Sequence, residues 1–411
     1  MKKTSVGSNL LTLAVVALTL SLVIYPQEAF EASVHGMQIF WSIVFPSLLP
    51  FFVLSEIMLG MGVVHFIGVL FEPLMRPLFG VPGVGAFALS MGLAAGYPMD
   101  AVITGKFRRA RLCNRVEGER MLAFTNTADP LFMFGAVAVG MFGRPELGVI
   151  LAAAHYLSAF TVGLLFKLHG RGQPQTTEAK PPREGILSRA AAAMYRARAE
   201  DGRGFGQLMG EAVNESVRTL LMIGGFIMTF SVLIRIITVA GWAPVFAWPL
   251  EGLFRLLGIS PALVPAALQG VFEIDLGTVA ASKSMAPFAQ QVMIASAVIA
   301  WSGLSVHGQV ASVVTGTDIR MGPYVVARVL HAVLAAALAV MLLGPARPSA
   351  LAVAAPLSAW TPVPGAGMPP FWEHLETSAL KAVLVPAVLT AFPATLVLFR
   401  SARVVWFWFT R

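Results

Sequence analysis

The chain has 411 residues, of which 57% are hydrophobic and only 12% are charged. A soluble domain is about a quarter charged, so this composition excludes a soluble enzyme or a soluble binding domain. The formal net charge of +8 is better explained by membrane orientation than by nucleic-acid binding, because Lys and Arg accumulate in cytoplasmic loops. We therefore expect a multi-pass membrane protein whose partner is the lipid bilayer, with no nucleic-acid partner.

Apolar runs long enough to cross a bilayer, about 17 to 25 residues each, recur along the chain. The predicted spans are 9–25, 36–60, 121–143, 147–167, 211–240, 288–315, 323–343 and 375–399. Two further apolar segments, 84–105 and 260–282, contain Gly, Pro and acidic residues, which predicts re-entrant hairpins or broken helices. A stretch from Phe66 to Phe79 is typical of a helix at the membrane interface. The expected fold class is all-α and polytopic, with about eight transmembrane helices plus two re-entrant hairpins.

Basic residues concentrate in two loops and set the predicted topology. One short loop is basic from Lys106 to Arg120, and a longer one is basic from Arg171 to Arg203. Placing both loops and both chain termini in the cytoplasm satisfies the positive-inside rule. The spans 36–60 and 211–240 then enter the membrane from opposite sides, and each is followed by a hairpin, an interrupted helix and a plain helix.

This order predicts an inverted-topology repeat with discontinuous helices. An offset of 177 residues aligns Lys106 with Lys283 and Phe124–Thr125 with Trp301–Ser302 without a gap. Inverted repeats of this kind are a recurring plan of secondary transporters, which hold their substrate near the membrane midplane. The predicted segments are an uncleaved N-terminal transmembrane helix (1–35), a first repeat (36–167), a basic, mobile cytoplasmic linker (168–210), an inverted second repeat (211–343), and an extracytoplasmic loop with a C-terminal transmembrane helix (344–411).

Four polar interruptions lie inside the apolar segments. Irregular backbone survives at membrane depth only where protein or a water-filled cavity satisfies it, and ionisable groups there are costly and indicate function. Asp129–Pro130 predicts that a helix restarts there, and a helix N-terminus suits an anion. Glu273, Asp275 and His307 are candidates for binding a cation or carrying a proton. The predicted substrate-binding residues are Gly96, Tyr97, Pro98, Asp100, Thr125, Asn126, Thr127, Asp129, Glu273, Asp275, Trp301, Ser302, Ser305 and His307.

Each candidate also has a structural interpretation. Asp129 is equally well explained as a helix cap, and His307 as a packed side chain. Lys106 and Lys283 close the two hairpins and would attract an anionic solute, but a solvated loop or the membrane interface explains them too. The sequence contains no nucleophile elbow, phosphate-binding loop or His-Glu-x-x-His helix, and Cys113 is its single cysteine. We therefore expect no enzymatic activity, no metal site and no cofactor.

Three motifs carry a resemblance to a known family. They are Phe45-Pro46-Ser47-Leu48-Leu49-Pro50-Phe51-Phe52, Gly96-Tyr97-Pro98, and Asn126-Thr127-Ala128-Asp129-Pro130-Leu131-Phe132. The sequence resembles the sporulation integral membrane protein YlbJ family, of the nucleoside-recognition or "gate" domain group. That group also includes spore maturation proteins and the core of ferrous iron transporters. The resemblance covers about 36–343; it is specific in the first half and concerns mainly the layout in the second.

The resemblance implies a role in spore formation. Its members are made in the mother cell of endospore-forming bacteria and look like the carrier that exports dipicolinic acid across the outer forespore membrane. Helix N-termini near Asn126 and Ser302 would then bind the carboxylates of this aromatic dianion, and Tyr97 or Trp301 would stack on its ring. Asp100 departs from the small residue expected after the Gly-Tyr-Pro turn, so an anion site there requires that Asp100 be paired or protonated.

Two alternatives to dipicolinate export remain at this stage. The domain group's name favours nucleoside transport, and a non-transporting membrane scaffold for spore-envelope assembly is the alternative from another class. The sequence leaves open whether protons or sodium ions are coupled to transport, and whether the chain forms a homo-oligomer.

Overall fold

The computed structural model of the protein describes residues 6–176 and 185–343, and every regular element in those ranges is helical. The helices up to the linker are α1 (Val6–Ile24), α2 (Pro26–Ile39), α3 (Phe45–Gly60), α4 (Val63–Leu74), α5 (Gly85–Ala95), α6 (Met99–Arg109), α7 (Arg115–Thr125) and α8 (Leu147–Phe166). Those after it are α9 (Ile186–Asp201), α10 (Phe205–Val239), α11 (Ala243–Leu257), α12 (Val264–Phe272), α13 (Ile274–Ser282), α14 (Phe288–Trp301), α15 (Gly303–Val314) and α16 (Met321–Leu343). The short elements between them are the π-helices Phe40–Val44, Met75–Phe79 and Phe132–Met141 and the 3₁₀ turn Pro261–Leu263.

Five helices in the described ranges are long and apolar enough to cross a membrane. They are Pro26–Gly60, Leu147–Phe166, Phe205–Val239, Phe288–Val314 and Met321–Leu343. They correspond to five of the predicted spans, although the first begins near residue 26 rather than 36, because α2 continues through the π-helix into α3. The predicted span 375–399 lies outside the described residues. The expectation of an all-α polytopic protein with discontinuous helices is confirmed.

The two halves of the chain contain the same elements in the same order. Each half begins with a helix of 35 residues, Pro26–Gly60 or α10, and continues with a shorter helix, α4 or α11. A two-helix hairpin follows (α5–α6 or α12–α13), then a broken helix (α7 with Phe132–Met141, or α14–α15), and finally a long helix (α8 or α16). The offset of 177 residues places the hairpin break at Gly96 opposite the break at Glu273, and the end of α7 at Thr125 opposite Ser302.

The linker is more ordered than the sequence indicated. Its charge and lack of apolar periodicity predicted a mobile loop over 168–210, but residues 186–201 form helix α9, which packs against α4. Gly62, at the start of α4, contacts the backbone of Met194, where an added methyl group would lie 2.4 Å from the carbonyl oxygen. Arg189 forms an ion pair with Glu72. The sequence did not predict helix α9 because only its Ala190 is buried. Such a helix shows almost no apolar periodicity.

The largest hydrophobic core lies between the two halves. It joins side chains of Pro26–Gly60, Phe132–Met141 and α8 to side chains of α10 and of α12 to α14. Apolar contact between the halves therefore surrounds the points where the hairpins and broken helices are interrupted.

Candidate functional site

In the first half, the hairpin break packs directly on the break in the next helix. Gly92 of α5 lies so close to the end of α7 that an added methyl group would be 2.2 Å from the carbonyl oxygen of Thr125. Gly96 has a φ of +66°, which glycine adopts without steric cost, and the Tyr97–Pro98 peptide bond is cis. The chain turns here so that α6 can begin at Met99. The absence of a side chain at Gly92 thus allows the hairpin break at Gly96 and the break after α7 to lie side by side.

Asp100, in the first turn of α6, is completely buried and anchors a polar network. Its carboxylate accepts hydrogen bonds from Asn126 Nδ2 at 2.8 Å and Thr125 Oγ1 at 3.1 Å. The hydroxyl of Tyr324 donates to Asn126 Oδ1 at 2.9 Å. The aspartate that the family resemblance flagged as a departure is therefore paired with neutral donors, in a network that links the first half to α16.

Arg328 of α16 joins the interrupted helices of both halves. Its guanidinium is fully buried and donates to the carbonyls of Asn126 at 2.6 Å, Ala123 at 2.7 Å and Ala300 at 3.4 Å. These carbonyls belong to the ends of α7 and α14. A helix C-terminus carries unpaired carbonyls and partial negative charge, so one cation stabilises both ends.

The segment after Asn126 is fixed by its own caps. The carboxylate of Asp129 accepts a hydrogen bond from the Phe132 backbone N–H at 2.8 Å. The backbone of Ala128 donates to His155 Nε2 at 3.0 Å and accepts from the Tyr156 hydroxyl at 2.9 Å. The helix that restarts at Pro130 is thus capped by a protein carboxylate, the structural interpretation that the sequence had left open.

The second half repeats this arrangement with different residues. Glu273 is extended and caps α13, since its carboxylate accepts from the Leu276 N–H at 2.9 Å. Ser302 lies in the left-handed conformation between α14 and α15. Gly303 packs on the hairpin break, where an added methyl group would lie 3.0 Å from the Glu273 Cα and the Phe272 carbonyl oxygen. The N-terminus of α15 has no side-chain cap.

A cavity between the halves contains several of the predicted residues. Its empty volume, including space open to solvent, is about 580 Å³. It is lined by Leu48, Phe52, Ala95, Tyr97, Asp129, Phe132, Ile223, Phe226, Glu273, Ile274, Asp275, Ser305, Val306 and Gln309. We call it the central cavity. Asp275 Oδ1 and Ser305 Oγ are buried and have no hydrogen-bond partner in the described part of the chain.

The remaining predicted residues lie behind the cavity or away from it. Gly96, Pro98, Asp100, Thr125, Asn126, Thr127 and Ser302 do not line it and instead form the breaks described above. The Trp301 indole donates to the Val271 carbonyl at 3.0 Å, and its ring lies 4.2 Å from the ring of His307. His307 Nδ1 donates to the Gly303 carbonyl at 2.8 Å. Lys106 and Lys283 are exposed and do not line the cavity.

Sequence reasoning missed the side chains that connect the halves. Arg328 and His331 lie within an apolar span, and an ionisable residue in such a span is itself a signal of function or of a specific partner. His331 Nε2 donates to the His155 carbonyl at 2.9 Å, with the two rings 4.5 Å apart. Among the described residues, no group of three or more His, Cys, Asp or Glu side chains could hold a metal ion.

Comparison with known proteins agrees with this architecture. A curated relative, the sporulation integral membrane protein YlbJ of Bacillus subtilis (strain 168), is 44% identical over 330 residues, which cover 80% of this chain and 81% of the relative. The chain belongs to the YlbJ family. The family model described as "Gate: Nucleoside recognition" matches residues 41–194 of this YlbJ-family protein, which include α3 to α8.

A solved structure shares the fold. CNTnw in an inward-facing substrate-bound state superposes with a TM-score of 0.50 at 13% sequence identity, covering 82% of this chain and 86% of that one. At this identity the likeness concerns the fold alone. The YlbJ-family protein is thus an integral membrane protein whose fold is similar to that of CNTnw.

Proposed function

We propose that this YlbJ-family protein is a carrier for a small aromatic organic acid, with dipicolinate as the first candidate, held in the central cavity. The proposal rests on one observation: the breaks of both halves meet at one cavity. The first half contributes Tyr97 and Asp129 to the lining, and the second contributes Glu273, Asp275 and Ser305. Discontinuous helices around a shared site are the arrangement by which secondary transporters bind solutes.

The walls of the central cavity suit a flat aromatic solute. Phe52, Tyr97, Phe132 and Phe226 supply aromatic surface, which favours stacked or edge-on contact with another ring. Ser305 Oγ, without a partner among the described residues, lies in the first turn of the uncapped helix α15. Helix N-termini bind carboxylates through their free N–H groups, so we assign one carboxylate of the solute to this end.

The acidic side chains of the cavity require that positive charge accompany an anionic solute. Asp129, Glu273 and Asp275 line the central cavity, and none of the described residues that line it is Lys or Arg. A dianion beside buried carboxylates is repelled unless protons or cations accompany it. We therefore propose that the solute moves together with protons or sodium ions, and that Asp275, whose Oδ1 has no partner in the described ranges, receives them.

The orientation is part of the same proposal. In it, the basic loops and both chain termini face the cytoplasm, and the two repeats have inverted topology. The protein lies in the outer forespore membrane of the mother cell. Export of dipicolinate from the mother cell then runs from the side of the basic loops to the side of the α10–α11 turn. Protease accessibility of the 168–210 linker in right-side-out vesicles tests this orientation.

Uptake into proteoliposomes tests the proposed function. Purified wild-type protein is expected to take up labelled dipicolinate faster than protein-free liposomes, and more so with an inward proton or sodium gradient. Asp275→Asn is expected to lower the initial rate at least about tenfold, because a side chain in the site is altered. Glu251→Gln, at an exposed ion pair with Arg255, is the matched control and should leave the rate unchanged.

Two other results would replace the proposal. Uptake of labelled uridine that unlabelled dipicolinate does not inhibit would favour nucleoside transport. Uptake of neither solute, together with normal spore formation by Asn126→Ala and Asp129→Ala variants, would favour a membrane scaffold for spore-envelope assembly.

A further inference from the structure

A second cavity lies beside the central one, between the N-terminal part of Pro26–Gly60 and the C-terminal part of α10. Its empty volume is about 860 Å³. It is lined by Glu31, Ala32, His35, Ser231, Ile234, Arg235, Thr238, Gln269 and Leu276. We call it the outer cavity. Its lining is more polar than a lipid-facing surface would be, since exposed charged side chains in a bilayer are costly.

The two cavities follow one another along the same helices. On α10, Phe226 lines the central cavity, while Ile234 and Arg235, about two turns further on, line the outer one. On the second hairpin, Glu273 lines the central cavity, and Gln269, one turn earlier, lines the outer one.

Two phenylalanines occupy the sequence positions between these linings. Phe230 lies between Phe226 and Ile234 on α10, and Phe272 lies between Gln269 and Glu273 on the hairpin. Their ring centroids are 6.5 Å apart. Neither ring lines either cavity, so the pair marks only where the two linings change over along the sequence.

The outer cavity contains the permanent positive charge that the central cavity lacks. Arg235 is exposed, and no ion pair or hydrogen bond of its side chain is found within residues 6–176 and 185–343. Glu31, whose Oε1 accepts from Gln27 Nε2 at 2.9 Å, brings a carboxylate to the same lining. Arg235 is four residues from the end of α10 at Val239, about 6 Å along the helix axis, so water reaches it.

We propose that the outer cavity is a staging site for the transported organic anion, in which Arg235 binds a carboxylate. The inference rests on the proposed function for the identity of the anion, but not for the existence of an anion site. A guanidinium matches a carboxylate with two parallel hydrogen bonds. The phosphate of an anionic lipid headgroup offers the same chemistry, so the experiment must distinguish the two sources.

Thiol labelling measures the anion preference of the outer cavity without requiring transport. Cys113 is buried and is the one cysteine of the sequence, so a Cys113→Ser, Thr238→Cys protein in nanodiscs of phosphatidylcholine carries a single reporter thiol. We expect the anionic sulfonatoethyl methanethiosulfonate to react faster than the cationic trimethylammonioethyl reagent. Adding Arg235→Gln should lower this rate ratio about fivefold, as loss of a partly exposed charge interaction predicts, and Arg235→Lys should retain most of it.

The matched control is Arg255→Gln on α11, which removes an exposed arginine that pairs with Glu251 at 3.6 Å and does not line the outer cavity. This control should leave the labelling ratio unchanged. Millimolar dipicolinate should slow the anionic reagent in the Arg235 protein but not in the Arg235→Gln protein. An unchanged ratio in Arg235→Gln, or equal protection of both proteins, would overturn the staging site.

Two further experiments, one that varies the lipid and one that measures uptake, distinguish a lipid headgroup site from a site for the solute. Protection by phosphatidylglycerol in the nanodisc, with none by dipicolinate, would identify a headgroup site and overturn the proposal. In proteoliposomes, Arg235→Gln should raise the KM for dipicolinate about fivefold with little change in kcat. Absence of wild-type uptake, with the Arg235-dependent labelling and protection intact, would refute the proposed function and the staging role, and would leave only an anion-binding site at Arg235.

Discussion

In the first half of the protein the buried carboxylate of Asp100 accepts hydrogen bonds from Thr125 and Asn126, whereas in the second half Asp275 Oδ1 has no hydrogen-bond partner in the described part of the chain. Both side chains lie in the first turn of the second hairpin helix, α6 or α13. Only Asp275 lines the central cavity. The same element order therefore supports a closed polar network in one half and an unsatisfied polar site in the other.

This difference indicates a division of roles between the halves. A buried polar group that is fully hydrogen-bonded rigidifies its surroundings, while one that lacks a partner costs stability unless a ligand supplies it. We infer that the Asp100 network is structural and that Asp275 and Ser305 contact the solute. The following substitutions test this division, beginning with the largest expected effect.

Arg328→Leu should be the most damaging substitution. It removes the cation shared by the ends of α7 and α14 and leaves buried carbonyls without a donor. Each hydrogen bond to a charged group contributes about 1.5 to 3 kcal/mol, so we expect a loss of about 3 to 5 kcal/mol of stability and little folded protein. Thermal unfolding followed by fluorescence size exclusion measures it. Arg218→Gln, at an exposed arginine paired with exposed Glu215 at 3.5 Å, is the control and should retain most of its folded yield. Equal yields for the two variants would contradict the structural role of Arg328.

Asp100→Ala and Asp275→Ala form a matched pair across the halves. Asp100→Ala should destabilise the protein by about 2 kcal/mol, because Asn126 loses its acceptor in a buried site. Asp275→Ala should leave the Tm unchanged or higher, since it removes a buried carboxylate with an unsatisfied oxygen, yet it should lower dipicolinate uptake at least about tenfold. A lower Tm for Asp275→Ala than for Asp100→Ala would reverse the assignment of roles.

Gly92→Ala tests the close packing of the two breaks in the first half. The added methyl group would lie 2.2 Å from the Thr125 carbonyl oxygen, so the helices must separate, at a cost of about 1 to 3 kcal/mol. Gly225→Ala, on α10 where no atom lies within 4 Å of the added methyl group, should be neutral or stabilising by about 0.5 to 1 kcal/mol through helix propensity. Comparing the two Tm values checks this, and a harmless Gly92→Ala would show that the breaks tolerate separation.

The smallest effect is expected for Lys106→Gln and Lys283→Gln, which occupy equivalent positions in the two halves. Both lysines are exposed and absent from the lining of the central cavity, and charges beyond a Debye length of about 8 Å are largely screened at physiological ionic strength. Each substitution should change dipicolinate uptake less than about twofold at that ionic strength. A much larger loss of uptake in either variant would support the prediction from sequence that this lysine attracts the anionic solute.

The fold was largely predictable because its signals are local. Apolar length identified the five long helices, and Gly, Pro and acidic residues marked the breaks at Gly96 and Glu273. Helix α9 gave no such signal, because it buries only Ala190 and contacts α4 partly through the Met194 backbone and the Arg189–Glu72 ion pair.

The site was predictable only in part. Each polar interruption lies at a break near the central cavity, but long-range pairing decides which of its residues line that cavity. Tyr97 and Asp275 do, whereas Asn126 is enclosed by Asp100, Tyr324 and Arg328. Tyr324 and Arg328 lie about 200 residues from Asn126 in the sequence, and nothing in a local pattern indicates that pairing. The intervening spans must pack before those side chains meet.

The most direct test of a shared solute cavity is an electron cryo-microscopy structure of the protein with saturating dipicolinate. We predict density for the solute in the central cavity, in contact with Tyr97 of the first half and with Asp275 and Ser305 of the second. Solute density outside that lining, or a central cavity that stays unchanged at saturating dipicolinate while uptake proceeds, would contradict the account.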